Sequence, residues 1–243
     1  MNTTKATEVI QNIDINKANE YIGYWRKIQP KNDFQYFSRF VFAICSIQAG
    51  WERNRYAYER VMRLDWLMDK QRLQDIYENC GVGLVTLRTK ATWEIANKFM
   101  SNPSQFHRKD NETWAMFRNR MVKDVWGIGM AKISFVLEMA FPDSADVTCI
   151  DRHGYRLYGL DASKSTNKYQ LIESHWVNEC RKRGLSPAIS RHIYWDSIQK
   201  KENTRYWSEC LESNLGQWRW LLVKAEVFLN KMFMKCTPRV CLT

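Results

Sequence analysis

The chain has 243 residues, 45% hydrophobic and 26% charged, with only 10 Gly and 5 Pro, which describes a folded, helix-rich globule and excludes a disordered or fibrous chain. No apolar run reaches the roughly 18 to 20 residues of a membrane span, and the start, Met-Asn-Thr-Thr-Lys-Ala-Thr, lacks the apolar core of an export signal. A net charge of +11, not confined to one tail, points to a polyanionic partner, nucleic acid in preference to membrane, and seven irregularly placed cysteines fit a reducing cytosol better than a disulfide framework.

Apolar residues recur at helical spacing over 7–28 (Val9, Ile10, Ile13, Ala18, Tyr21, Trp25), and Pro30 to Asp33 breaks that helix and caps the next. From Phe34 the sequence is apolar nearly all round. This predicts a buried central helix that ends at Gln48, where Ala49-Gly-Trp-Glu-Arg-Asn54 begins. Residues 55–79 and 92–121 carry further amphipathic spacing; Gly81-Val-Gly83 between them reads as a helix C-cap, and the polar stretch 102–111 as a loop.

A helix over about 112–125, a turn at 126–129 and a second helix over 130–141 then make a hairpin, which Pro142 ends. Gly127 and Gly129 flank Ile128 in the turn, where the lack of side chains lets the amides of the second helix approach a phosphate oxygen. Asp151 follows in Ile-Asp-Arg-His-Gly-Tyr-Arg-Leu, an apolar-flanked carboxylate with bases at 152, 153 and 156. Two more helices are expected over 168–183 and 188–199, separated by Gly184 and Ser186-Pro187.

The Gly-Ile-Gly hairpin, the apolar helix, the short loop and Asp151-x-His153-x-x-Arg156 together resemble the helix-hairpin-helix DNA glycosylase superfamily, the relatives of endonuclease III. The resemblance covers roughly residues 35–160. It implies an all-α fold of two helical lobes: a central lobe over 35–160, a second lobe from 1–34 and 161–243, and the active site in the cleft between them. Residues 1–243 are then a single glycosylase-like unit, expected as a monomer on double-stranded DNA, in the cytoplasm or at the nucleoid. Asp151 takes the place of the essential aspartate. Gln48, in Ser46-Ile47-Gln48-Ala49, corresponds to a glutamine that enters the base stack, and Trp51, Trp126 and His153 are candidates for the base gap or pocket. Gly127, Gly129, Lys132 and Arg156 are candidates for the DNA backbone.

Bifunctional members of that superfamily carry a lysine two residues after the second hairpin glycine, and its amine forms a Schiff base with the sugar C1′. Here the position is Ala131. Lys132, one residue along, is turned by about 100° on a helix, so a monofunctional enzyme is expected, one that extrudes a damaged or modified base and hydrolyses its N-glycosidic bond to leave an abasic site. The superfamily's four-cysteine iron-sulfur loop is not matched by Cys180, Cys210, Cys236 and Cys241, so no metal cluster and no required cofactor are expected. A monovalent cation on the hairpin carbonyls is implied by the resemblance alone. Two alternatives stay open: a DNA-modifying transferase of the kind encoded in phage genomes, for which Trp195-Asp196 and Arg205-Tyr-Trp207 leave room, and a non-catalytic DNA-binding module.

Overall fold

A computed structural model describes residues 1–200 and 210–236, so Arg205 to Trp207 and Cys241 lie outside the described residues. The regular structure within them is helical: α1 (Thr4–Gln11), α2 (Ile15–Lys27), α3 (Asp33–Cys45), α4 (Trp51–Val61), α5 (Lys70–Asn79), α6 (Val85–Ser101), α7 (Trp114–Asp124), α8 (Met130–Ala140), α9 (Arg152–Leu157), α10 (Tyr169–Lys182), α11 (Pro187–Ile198) and α12 (Gln217–Cys236). No described helix is long and apolar enough to cross a membrane.

The apolar run from Phe34 becomes α3, started by Asn32, whose side chain accepts the Gln35 N–H. Apart from Asp33 and Gln35 its side chains are buried, because α4, α6 and α8 pack around it. Two expected helices are split in the structure. Asp14 accepts the Lys17 N–H and restarts the chain as α2, so 7–28 is two helices. Within 55–79, Leu64 adopts a left-handed φ of 55° and the buried Trp66 donates its indole N–H to the Val61 carbonyl, which closes α4 before Asp69 caps α5. Helical periodicity alone does not register such caps, since each polar capping residue fits the solvent face of a longer helix.

The terminal helices do not all gather in one lobe. Pairs α1–α10, α2–α11 and α10–α11 pack together, as the second lobe requires. Helix α12 instead packs against α6, with the buried Trp220 ring stacked on Phe37 at 4.6 Å and edge-on to Phe34. The tail beyond residue 161 is therefore shared between the two groups of helices.

Between α8 and α9 the chain turns at 142–144 and then runs through 147–150 as a buried, irregular segment that has no strand beside it among the described residues. Buried side chains meet the need instead. Glu173 on α10 accepts the Thr148 N–H at 3.0 Å, Glu138 on α8 accepts the Cys149 N–H at 2.9 Å and the Thr148 hydroxyl at 2.7 Å, and the Tyr169 hydroxyl bridges the Thr148 carbonyl and the Ile150 N–H. Each carboxylate is neutralised by a buried arginine: Arg118 donates to Glu173 at 2.8 Å and Arg191 to Glu138. Burial opposes the charge on Arg191, but Glu138 outweighs it and the guanidinium pKa rises. Burial pushes Glu173 upward while Arg118 and its hydrogen bonds hold it down, with a net rise.

Removing one charge should expose the desolvation cost of the other. Glu138→Gln is expected to lower unfolding free energy by about 3–5 kcal/mol in denaturant melts, whereas Glu138→Gln combined with Arg191→Met, which keeps an acceptor for the Cys149 N–H and leaves no unpaired charge, should recover most of that loss. Equal loss in both variants would show that the pair is not electrostatically coupled.

Candidate active site and nucleic-acid interface

The braced segment ends at Asp151, whose Oδ1 accepts the N–H groups of His153 at 2.8 Å and Gly154 at 3.0 Å and so caps α9. Among the described residues Oδ2 accepts no hydrogen bond, and Asp151 lines a cavity of about 460 Å³. One carboxyl oxygen is spent on position, and Asp151 stands on the cavity wall. The cavity also takes in Gln48, Trp51 and His153, three of the expected base-gap residues.

Gln48 stands in the turn after α3 with a left-handed φ of 49°, a conformation that costs a non-glycine residue on the order of 1–3 kcal/mol. The fully buried Arg88 of α6 holds that turn, donating to the carbonyls of Cys45 and Ile47. Trp51 begins α4 and meets Phe42 of α3 at 6.0 Å between ring centroids.

Two residues do not sit where the sequence places them. Trp126 stays on the outer surface of the hairpin, 43% exposed, with Lys90 Nζ 4.0 Å over its ring, and it does not border the cavity. Lys132 does border it. Its amine turns inward, donating to the Ser46 hydroxyl at 2.7 Å and the Ser46 carbonyl at 3.2 Å, and lies 5.5 Å over the Phe135 ring. The amine expected at the DNA backbone is thus held by Ser46 on the cavity wall. The rotation of about 100° between adjacent helical positions is offset by a long side chain that bends to the polar edge of α3's end. Burial lowers the Lys132 pKa and the nearby Arg191 and Arg88 add to the effect, against the pull of Cys149 and Asp151.

Several wall residues have no motif to announce them. Cys149 borders the cavity, but burial pushes its thiol up to about 12, so it remains protonated and is no nucleophile near neutral pH. Arg191 and Trp195 of α11 and its C-cap Gln199 stand at i, i+4 and i+8, one stripe of that helix and its end, and this spacing is a signal the sequence does contain. The neighbouring Asp196 is buried and accepts the Tyr21 hydroxyl at 2.7 Å, a structural role. Asn54 of α4 is the deepest polar residue of the wall.

The hairpin forms as expected: α7, a turn, then α8 with Gly129 as its N-cap. Gly127 has φ +78°, and a Cβ there would stand 3.5 Å from the Ala91 Cβ, so this glycine serves the turn. A Cβ on Gly129 would meet nothing within 4 Å, which leaves the start of α8 open to a ligand from outside. Arg152 and Arg156 are exposed on α9 nearby in the chain.

No family model and no curated protein match the sequence. A solved structure does match: the 8-oxoguanine DNA glycosylase of Methanocaldococcus jannaschii, with a TM-score of 0.63 at 20% identity, over 81% of this chain and 94% of that one. The two chains share a fold. The likeness extends across nearly the whole of the archaeal protein.

The two hairpin glycines should separate by variant. Gly129→Asp fits the open space at φ −89° and is a good N-cap residue, so it should fold normally yet bind random duplex roughly tenfold or more weakly, with a flatter salt dependence. Gly127→Ala should instead lower stability by about 1 kcal/mol. Unchanged duplex affinity in Gly129→Asp, measured by fluorescence anisotropy, would remove the hairpin from the DNA interface.

Proposed function

We propose that this protein is a DNA glycosylase that draws one extruded base into the cavity beside Asp151 and cleaves its N-glycosidic bond. The observation that carries this reading is the placing of a carboxylate and a buried amine, Asp151 and Lys132, on one aromatic-walled cavity of about 460 Å³. That volume accommodates a purine or a substituted pyrimidine, and Trp51, Phe42 and Trp195 offer flat surfaces that offset the cost of unstacking, a few kcal/mol. The excess of +11 and the open start of α8 suit the DNA backbone.

Cleavage of the C1′–N bond develops positive charge on the sugar, and the fixed Asp151 carboxylate stabilises it. The inward-facing Lys132 then favours an amine as nucleophile over water. In that route Nζ attacks C1′ and the base departs with the bonding electrons and takes a proton; the attached amine then gives up a proton, its lone pair forms the C1′=N bond of the Schiff base, and the C1′–O4′ bond breaks with O4′ taking a proton. A monofunctional enzyme is expected from sequence spacing; the side-chain geometry supports the bifunctional alternative. The archaeal neighbour's name makes 8-oxoguanine the first base to test. Among the hairpin carbonyls, that of Asp124 takes Lys98 Nζ and that of Gly129 takes the N–H groups of Lys132 and Ile133. A monovalent cation on the hairpin carbonyls, which the resemblance alone implies, would add positive charge beside a phosphate.

The test is release of free base from duplexes carrying 8-oxoguanine, uracil or a modified pyrimidine, with borohydride present. Asp151→Asn keeps the cap acceptor and should fold, but lose about 10³-fold or more in turnover. Lys132→Gln should abolish any borohydride-trapped complex. Because the neutral amine reacts and its pKa is lowered, trapping should rise with pH and level off below the ordinary lysine value of 10.5. Base release without trapping would assign hydrolysis by water, and binding without base release would favour the transferase.

A further inference from the structure

Asn54 is 4% exposed on the wall of the cavity, and its Oδ1 is buried with no hydrogen-bond partner among the described residues. Its backbone N–H already bonds the Gly50 carbonyl, so α4 does not need the amide. A buried, unpartnered amide oxygen costs about 1–3 kcal/mol, and a leucine there would avoid the cost. The other polar groups deep in the wall are committed: Lys132 to Ser46, Arg191 to Glu138, and Asp151 Oδ1 to the start of α9. Asn54 lines the space that a base would fill, with Oδ1 turned away from the opening and closed to solvent.

We propose that Asn54 is a specificity residue that reads the outward edge of the extruded base, its amide turning about χ2 so that the unpartnered Oδ1 accepts a ring N–H. The substrate class is a lactam base, one that sets N–H beside C=O, as in uracil-type pyrimidines and 8-oxopurines. An amide is the natural complement of that edge, since Oδ1 accepts the N–H while Nδ2 is able to donate to the carbonyl. Phe42 and Trp51, in contact with each other beside Asn54 on the same wall, supply the stacking surface and confer little discrimination. A base with N–CH3 in place of N–H leaves Oδ1 unpaired and adds bulk, so it is rejected; polar sites built for a substrate N–H reject analogues by factors far above those of apolar pockets. This assignment rests on the glycosylase reading of the cavity.

Binding tests it without cleavage. Duplexes carry an uncleavable 2′-fluoroarabino nucleotide of uracil or 8-oxoguanine, the matching ring-N-methylated base, or a tetrahydrofuran abasic analogue. Wild type should bind at least one lactam duplex ten or more times more tightly than its N-methyl counterpart. Asn54→Leu should erase that preference while leaving affinity for the abasic duplex within twofold, and its thermal stability should not fall. If Asn54→Leu folds poorly, Asn54→Ala carries the same comparison. Equal loss on lactam and abasic duplexes, or no lactam preference in wild type, overturns the proposal. Asn54-dependent binding without base release would keep the reading role and reject the glycosylase chemistry, whereas base release unaffected by Asn54→Leu would do the reverse.

Discussion

The site depends on how a buried, irregular segment is held. Residues 148–150 carry backbone N–H and C=O groups into the interior with no strand partner, and such groups are costly when unpaired. Glu138, Glu173 and Tyr169 satisfy the three N–H groups and the Thr148 carbonyl, and the two carboxylates are tolerable there only because Arg191 and Arg118 neutralise them. A chain tied at successive residues has little freedom at the next one. Asp151 therefore emerges at a defined point, and the cap that it gives to α9 fixes its side chain as well.

The same brace reaches the opposite wall. Arg191 binds Glu138 with its guanidinium and lies 5.3 Å over the Phe135 ring, while Lys132 lies over that ring at 5.5 Å. Helices α8 and α11 are thus joined across the cavity by an ion pair and a shared aromatic surface. On the third side, Arg88 anchors the turn that carries Gln48. Among the described residues four buried arginines, Arg39, Arg88, Arg118 and Arg191, each bonded to a carboxylate or to backbone carbonyls, brace the core from within. Positive charge buried in this way serves architecture; the excess available to a polyanion lies on exposed residues such as Arg152 and Arg156.

Lys132 shows where one-dimensional spacing stops being informative. Counting residues from the hairpin glycines correctly places its Cα one step round α8 from Ala131, but the reactive atom sits at the end of a flexible four-carbon stem. Where Nζ settles is decided by the Ser46 hydroxyl and carbonyl at the end of α3, 86 residues away in the chain. Trp126 is the converse case: an aromatic residue next to a motif glycine, drawn outward to Lys90 by a cation–π contact.

The sequence by itself determined the helical class, the central buried helix, the hairpin with its two glycines and the isolated carboxylate at Asp151, because periodicity, glycine and helix caps act over a few residues and leave a local trace. Gln48 and Trp51 were legible for the same reason, as the end of one helix and the start of the next. The cavity as a whole was not. Asn54, Phe135, Cys149, Arg191 and Trp195 come from four separate stretches and meet only after α3, α4, α8 and α11 pack, and the partners that decide each side chain's direction lie far away in sequence. Nor did periodicity mark the breaks at Asp14 and Trp66 or the docking of Trp220 on Phe37, since these follow from side-chain hydrogen bonds and ring packing that exist only in the folded state.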